Sequence, residues 1–151
     1  MKNKIIKYGM SAVLKTFSLI AWSPKLSRLN QSLSRKAARH VVSSKGLKQC
    51  QELEGLGQSW QKVFPSPKQV PLVNITNDTV YAEIHTPCPL RGTGNLDACY
   101  RMMEFDREVL RAIGGTFTVL YSQAEPGRSY CEVAMNFGSS SESELVAAHL
   151  R

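Results

Sequence analysis

The first 51 residues contain no aspartate or glutamate. They carry 11 of the chain's 19 lysines and arginines, a balance of +11, whereas residues 52–151 hold the other 8 bases and all 12 acids, a balance of −4. A basic front and a mildly acidic remainder mark two differently used parts of the chain. Cys50, Cys88, Cys99 and Cys131 include no Cys-x-x-Cys pair, which excludes a zinc ribbon and a thioredoxin motif. Four cysteines in 151 residues are also too few for a disulfide framework, and this usage points to a reduced, cytoplasmic setting. No uninterrupted apolar run is long enough to span a bilayer, because Lys15 breaks the only run near the front. The basic front lacks an arginine-rich run with interleaved aromatics, zinc-finger spacing and a phosphate-cradling glycine loop, so nucleic acid is not an expected partner. No internal repeat or long low-complexity stretch occurs.

What is present fits a soluble globular chain, with 42% hydrophobic and 21% charged residues and length enough for one buried core. Lys2, Lys4 and Lys7 introduce a stretch in which Ile6, Met10, Val13, Phe17 and Ile20 recur at helical spacing. Residues 3–22 therefore read as an amphipathic helix that either docks on the domain or lies on an anionic membrane surface through residues 1–22. The acid-free, Ser- and Arg-containing front, residues 1 to about 40, also fits an organelle transit peptide.

Ser23-Pro24 reads as a helix start, followed by an apolar face of Leu26, Leu29, Leu33, Ala37 and His40/Val41. A third helix is expected over Leu47 to Phe64, weakened by Gly55 and Gly57. Val70–Thr76 and Thr79–His85 alternate as strands about a turn. Asn95 is a fair N-cap for a helix running to Ile113 and ended by Gly114-Gly115. Thr116–Gln123 and Tyr130–Phe137 form a second strand pair around Glu125-Pro126-Gly127-Arg128. Ser141-x-x-Glu144 is a capping-box pattern that starts a last short helix. Tight hairpins imply an antiparallel sheet. The expected class is α+β: N-terminal helices, a four-stranded ββαββ unit and a short C-terminal helix. Residues 1–45 form a basic helical region on or tethered to an α+β small-molecule domain at 46–151.

The chemistry-bearing residues gather in 85–131. Cys99, Met103, Asp106 and Leu110 fall at i, i+4, i+7 and i+11, one helical stripe. A carboxylate in an apolar stripe must be paired, hydrogen-bonded or protonated. Asp106 is either a general base, with Glu104 as a second candidate, or a core-edge acceptor of hydrogen bonds. Cys88 lies in a proline-flanked loop that a ligand can reach, and is a nucleophile only if its pKa falls, for example through His85. Cys88, Cys99 and Cys131 could converge as soft metal ligands such as zinc takes, with His85 or Asp106 as a fourth. The plainer reading makes Cys99 and Cys131 small buried hydrophobes.

Cys88-Pro89-Leu90, the spacing Cys99-x(4)-Glu104-x-Asp106, and the run Glu125 to Cys131 together resemble the L-2-amino-thiazoline-4-carboxylic acid hydrolase-like family. They are more distantly similar to 4-vinyl reductase ligand-binding domains. The resemblance covers about a third of the chain. It implies an α+β domain with an enclosed small-molecule site and, for the hydrolase, opening of a thiazoline ring by water. For the 4-vinyl reductase relatives it implies zinc held by a cysteine-rich cluster near the last hairpin, where this chain has Leu120, Ser122 and Gln123 instead. Three functions follow as expectations. An enzyme would use Cys88 or Cys99 as nucleophile or ligand, Asp106 or Glu104 as base and His85 in proton transfer. A binding module would hold an apolar or metallated ligand without chemistry. An interaction protein would hold none.

Overall fold

In the computed structural model, residues 15–16, 18–138 and 145–151 are described. The long helix α1 (Ser27–Ser44) follows a 3-10 turn, Pro24–Leu26. Then come α2 (Leu53–Gln61), β1 (Leu72–Ile75), β2 (Val80–Ile84), α3 (Leu96–Met102), α4 (Glu104–Ala112), β3 (Thr116–Tyr121) and β4 (Cys131–Asn136). The expected α+β class is what the chain forms. The four strands make one antiparallel sheet in the order β1-β2-β4-β3. Helices α2 and α4 pack on one face of it, and α1 packs outside α4.

Period-two alternation decides which sheet face is covered. Val80, Ala82 and Ile84 of β2 are buried and pair with Met135, Val133 and Cys131 of β4. Tyr81, Glu83 and Glu132 point to the other, partly open face. Beneath α2 and α4 the core gathers Leu56, Trp60, Val109, Leu110, Ile113 and Phe117. Close approach of α2 to the sheet depends on a missing side chain. A methyl group on Gly57 would stand 2.9 Å from Val80 Cγ1 and 3.0 Å from Leu72 Cδ1. The glycine expected to weaken the helix instead lets it seat.

Three expected elements differ. The helix over Leu47 to Phe64 is confined to Leu53–Gln61. Residues 47–50 are instead irregular, with the Cys50 N–H donating to Ile113 O at 2.9 Å. The helix over Asn95 to Ile113 breaks at Met103, whose ψ of 9° leaves the helical range. Its ends are as expected: Asn95 Oδ1 accepts from the Ala98 N–H at 2.9 Å, and Gly114 takes φ +96° as the chain turns out of α4. The leucine stripe of α1 does not dock. Asn30, Ser34 and Ala38 are the residues α1 buries, while Leu26, Leu29 and Leu33 face outward. The same rotation brings two arginines of α1 onto α4. Arg35 Nε donates to Glu104 Oε1 at 2.8 Å, and Arg39 Nε to Glu108 Oε1 at 2.9 Å.

The residues described within 15–22 are helical, with Ser18 and Ala21 buried. Ile6, Met10, Val13 and Phe17 of the expected first helix, and the Ser141-x-x-Glu144 capping box, lie outside the described residues. Residues 145–147 are irregular and Ala148–Leu150 forms a 3-10 turn. Among the described residues no helix is long and apolar enough to cross a membrane.

Candidate small-molecule site

Three cysteines widely separated in sequence end close together. Cys131 opens β4 opposite Ile84, on the covered face. Cys99 arrives from α3, and Cys88 from the loop after β2. Each thiol is matched to a neutral donor. Ser122 Oγ lies 3.0 Å from Cys99 Sγ and donates to it. The Gln123 N–H donates to Cys131 Sγ at 3.3 Å and the Leu90 N–H to Cys88 Sγ at 3.4 Å. Burial pushes the Cys99 thiol up to about 12, further raised by Cys131 and Cys88 beside it and only partly offset by Ser122. Burial pushes Cys131 up to about 11. It raises Cys88 as well, against the pull of Leu90 and Arg91. All three are therefore protonated at neutral pH, whereas the thiolate is the nucleophile and metal ligand. Among the described residues no group of three His, Cys, Asp or Glu side chains is arranged to hold a metal ion.

The carboxylates part company on α4, because positions two apart on a helix point to opposite sides. Asp106 turns into the core, where it accepts from Trp60 Nε1 at 2.9 Å. Burial raises its pKa to about 6, although the Trp60 bond and the Arg107 charge pull the other way. Glu104 turns toward α1. Its Oε2 accepts from Arg107 Nε at 3.1 Å and Nη2 at 2.8 Å, while Oε1 takes Arg35. Burial works against its charge, but the Arg35 and Arg107 hydrogen bonds outweigh that and hold its pKa below the usual range. Glu108 repeats the arrangement with Arg39 and Arg111. His85 stands on the open side of the sheet. Its Nε2 is 2.6 Å from Glu83 Oε2 and its ring stacks on Tyr130 at 5.0 Å. The structure thus brings Cys88, Cys99 and Cys131 together, with Asp106 beside Cys131. Glu104 and His85 are directed elsewhere.

A cavity of about 180 Å³ opens between α3, β3 and the C-terminal turn. Leu96, Phe117, Val119, Ala147 and Ala148 give it apolar walls, and Cys99 and Thr118 add small polar groups. Arg107, Tyr100 and His149 close the remaining side. Arg107 stacks on the Tyr100 ring at 3.9 Å, and His149 packs against the same ring at 3.9 Å. Burial and the Arg107 charge both lower the His149 pKa, so it is neutral at pH 7. Arg107 is the charged residue of this wall and is already paired with Glu104, while Asp97 acts on His149 against the Arg107 charge. Glu104 and Glu108 are shared among Arg35, Arg39, Arg107 and Arg111.

Sequence reasoning missed Gln123 and the Arg107–Tyr100–His149 wall. Gln123 is fully buried. Its Oε1 accepts from Arg91 at 3.0 and 2.6 Å and from the Cys88 N–H at 3.3 Å. Its Nε2 donates to Ile84 O and Thr86 O, each at 3.0 Å. This one side chain ties the Cys88 loop to the sheet. The i, i+7 spacing of Tyr100 and Arg107 was a usable signal for a shared helix flank; nothing local marks His149. Against family models, curated proteins and solved structures, the chain gives no match in any of the three comparisons.

Proposed function

We propose that the domain binds a compact small molecule with an apolar or heterocyclic body and one anionic group, without covalent chemistry. The observation that carries this reading is the composition of the cavity wall. The Arg107 guanidinium, held by Glu104 through Nε and Nη2, is the one cationic group on otherwise largely apolar walls, whereas the one thiol that reaches the cavity, Cys99, is protonated and hydrogen-bonded. Orientation by one charged group within an apolar pocket is how small-ligand sites commonly work. The cytoplasm, including its membrane-facing layer, is the proposed location.

Ring-opening hydrolysis of a small C–N heterocycle remains a second reading, favoured by the position of Cys99 at the cavity and by the family resemblance. It requires a base at the same cavity, and neither Asp106 nor Glu104 lines it. Both readings share a small cyclic carboxylate as ligand, so 2-amino-thiazoline-4-carboxylate and benzoate are suitable probes. Calorimetric titration should show saturable binding of at least one probe, lost in Ala148→Leu, which fills the cavity. NMR of the thiazoline should show an unopened ring. Absence of binding by both probes overturns the binding reading. Ring opening that disappears in Cys99→Ala replaces it with the hydrolase.

A further inference from the structure

Among the described residues, the acid-free front exposes a strip of large apolar side chains that the fold does not use. Leu19 is 73% exposed, Trp22 48%, Leu26 41%, Leu29 49% and Leu33 40%. Scattered exposed leucines need no explanation, but five large apolar side chains within fifteen residues do. Leu26, Leu29 and Leu33 follow i, i+3, i+7 spacing down one flank of α1 and its lead-in turn. They stand beside the buried row of Asn30, Ser34 and Ala38, so the strip lies along the protein's side rather than under it. Rotation of α1 to bury these leucines would break the Arg35–Glu104 and Arg39–Glu108 pairs. The exposure is therefore built in.

The charges beside the strip say what covers it. Lys25 and Lys36 stand four residues before and seven after Leu29, and Arg28 and Lys45 are exposed on the same helical region. None of these four forms an ion pair with any described residue. A second copy of the chain would set like charges against each other, which disfavours self-association through this face. An anionic lipid surface accepts both components: phosphate headgroups take the lysines, and the acyl boundary takes the leucines and the amphipathic Trp22 ring.

We infer that the strip from Leu19 to Leu33 docks the protein on anionic membrane surfaces, with α1 lying in the interface plane. None of the five strip residues lines the Arg107 cavity, and use of the strip does not depend on that cavity being a ligand site. Four cations and a short apolar strip give reversible, salt-sensitive attachment rather than permanent anchoring.

The two tryptophans make the test direct, because Trp60 is fully buried and Trp22 is not. The full chain is mixed with vesicles of phosphatidylcholine alone or with one third phosphatidylglycerol. The inference expects co-sedimentation with the anionic vesicles, weakened by salt, and a blue shift of tryptophan emission that is absent in Trp22→Phe. Leu29→Ser/Leu33→Ser should keep the near-UV spectrum of the folded protein. It should weaken partitioning about ten- to thirtyfold, as expected for losing two half-buried leucines. No binding to anionic vesicles overturns the inference. So does binding unchanged in the double variant, which indicates charge alone, or by residues outside the strip. A stable dimer that vesicles do not dissociate, and that the double variant abolishes, assigns the strip to a second copy instead.

Discussion

Replacing Asp106 with asparagine separates a scaffold carboxyl from a catalytic base. Asparagine keeps the carbonyl that accepts the Trp60 Nε1–H and removes the titratable charge. Asp106 is buried and its pKa stands near 6 against an ordinary 3.8. The folded protein therefore holds this proton more tightly than the unfolded chain does, and stability falls as pH rises through the interval between the two values. The full loss corresponds to about 3 kcal/mol, at about 1.4 kcal/mol for each tenfold difference in proton affinity. Urea unfolding of wild type and Asp106→Asn from about pH 4 to 8 measures this as a difference in slope, and every other titrating group cancels. Over that range the wild-type curve should descend relative to the variant by about 2–2.5 kcal/mol, most of the full loss, and level off above about pH 7. The slope is the readout, since the new amide N–H also needs an acceptor and shifts the whole curve. Parallel profiles would refute the reasoning: Asp106 would then be ionised without penalty, as a solvent-reached base would be.

The two glycines of α2 should respond oppositely to alanine. Gly55→Ala meets nothing within 4 Å and should stabilise by about 0.5–1 kcal/mol through helix propensity. Gly57→Ala drives a methyl into Val80 and Leu72 and should destabilise by about 1–2 kcal/mol after that same gain is subtracted; thermal unfolding of both variants decides it. Gln123→Ala removes the acceptor for Arg91 and the Cys88 N–H together with two donated bonds. It should cost about 2–4 kcal/mol and speed modification of Cys88 by a thiol reagent, while Cys99 stays slow until global unfolding.

The sheet was legible because its signals are local. Alternation from Val80 to Ile84 and from Cys131 to Asn136 set the covered face, and Glu125-Pro126-Gly127 with Asn95 and Gly114 punctuated the chain at the right places. The stripe of Cys99 and Asp106 correctly put both residues inside. What they do there was not legible, since it depends on partners far away: Trp60 for Asp106, Ser122 for Cys99, Arg35 for Glu104. The leucines of α1 misled for a related reason. Helical periodicity finds an apolar stripe, but which flank faces inward depends on distant contacts, among them the ion pairs with α4, 69 residues away. His149 joined the cavity wall only because the chain returns past α3, a matter of topology that residue types do not encode.

The joint between α1 and α4 has a consequence for how the molecule comes apart. What α1 buries is Asn30, Ser34 and Ala38, and among the described residues Asn30 Oδ1 and Ser34 Oγ meet no hydrogen-bond partner. Carboxylates and guanidinium groups carry part of this contact, beside Ala38 and Val42, which join the core. An ionic seam of this kind softens with acid and with salt, while the α2–α4–sheet core beneath does not. The helix that carries the outward leucines can thus leave first, as its own cooperative unit, and the protein has a way to loosen its outer layer while its interior stays folded.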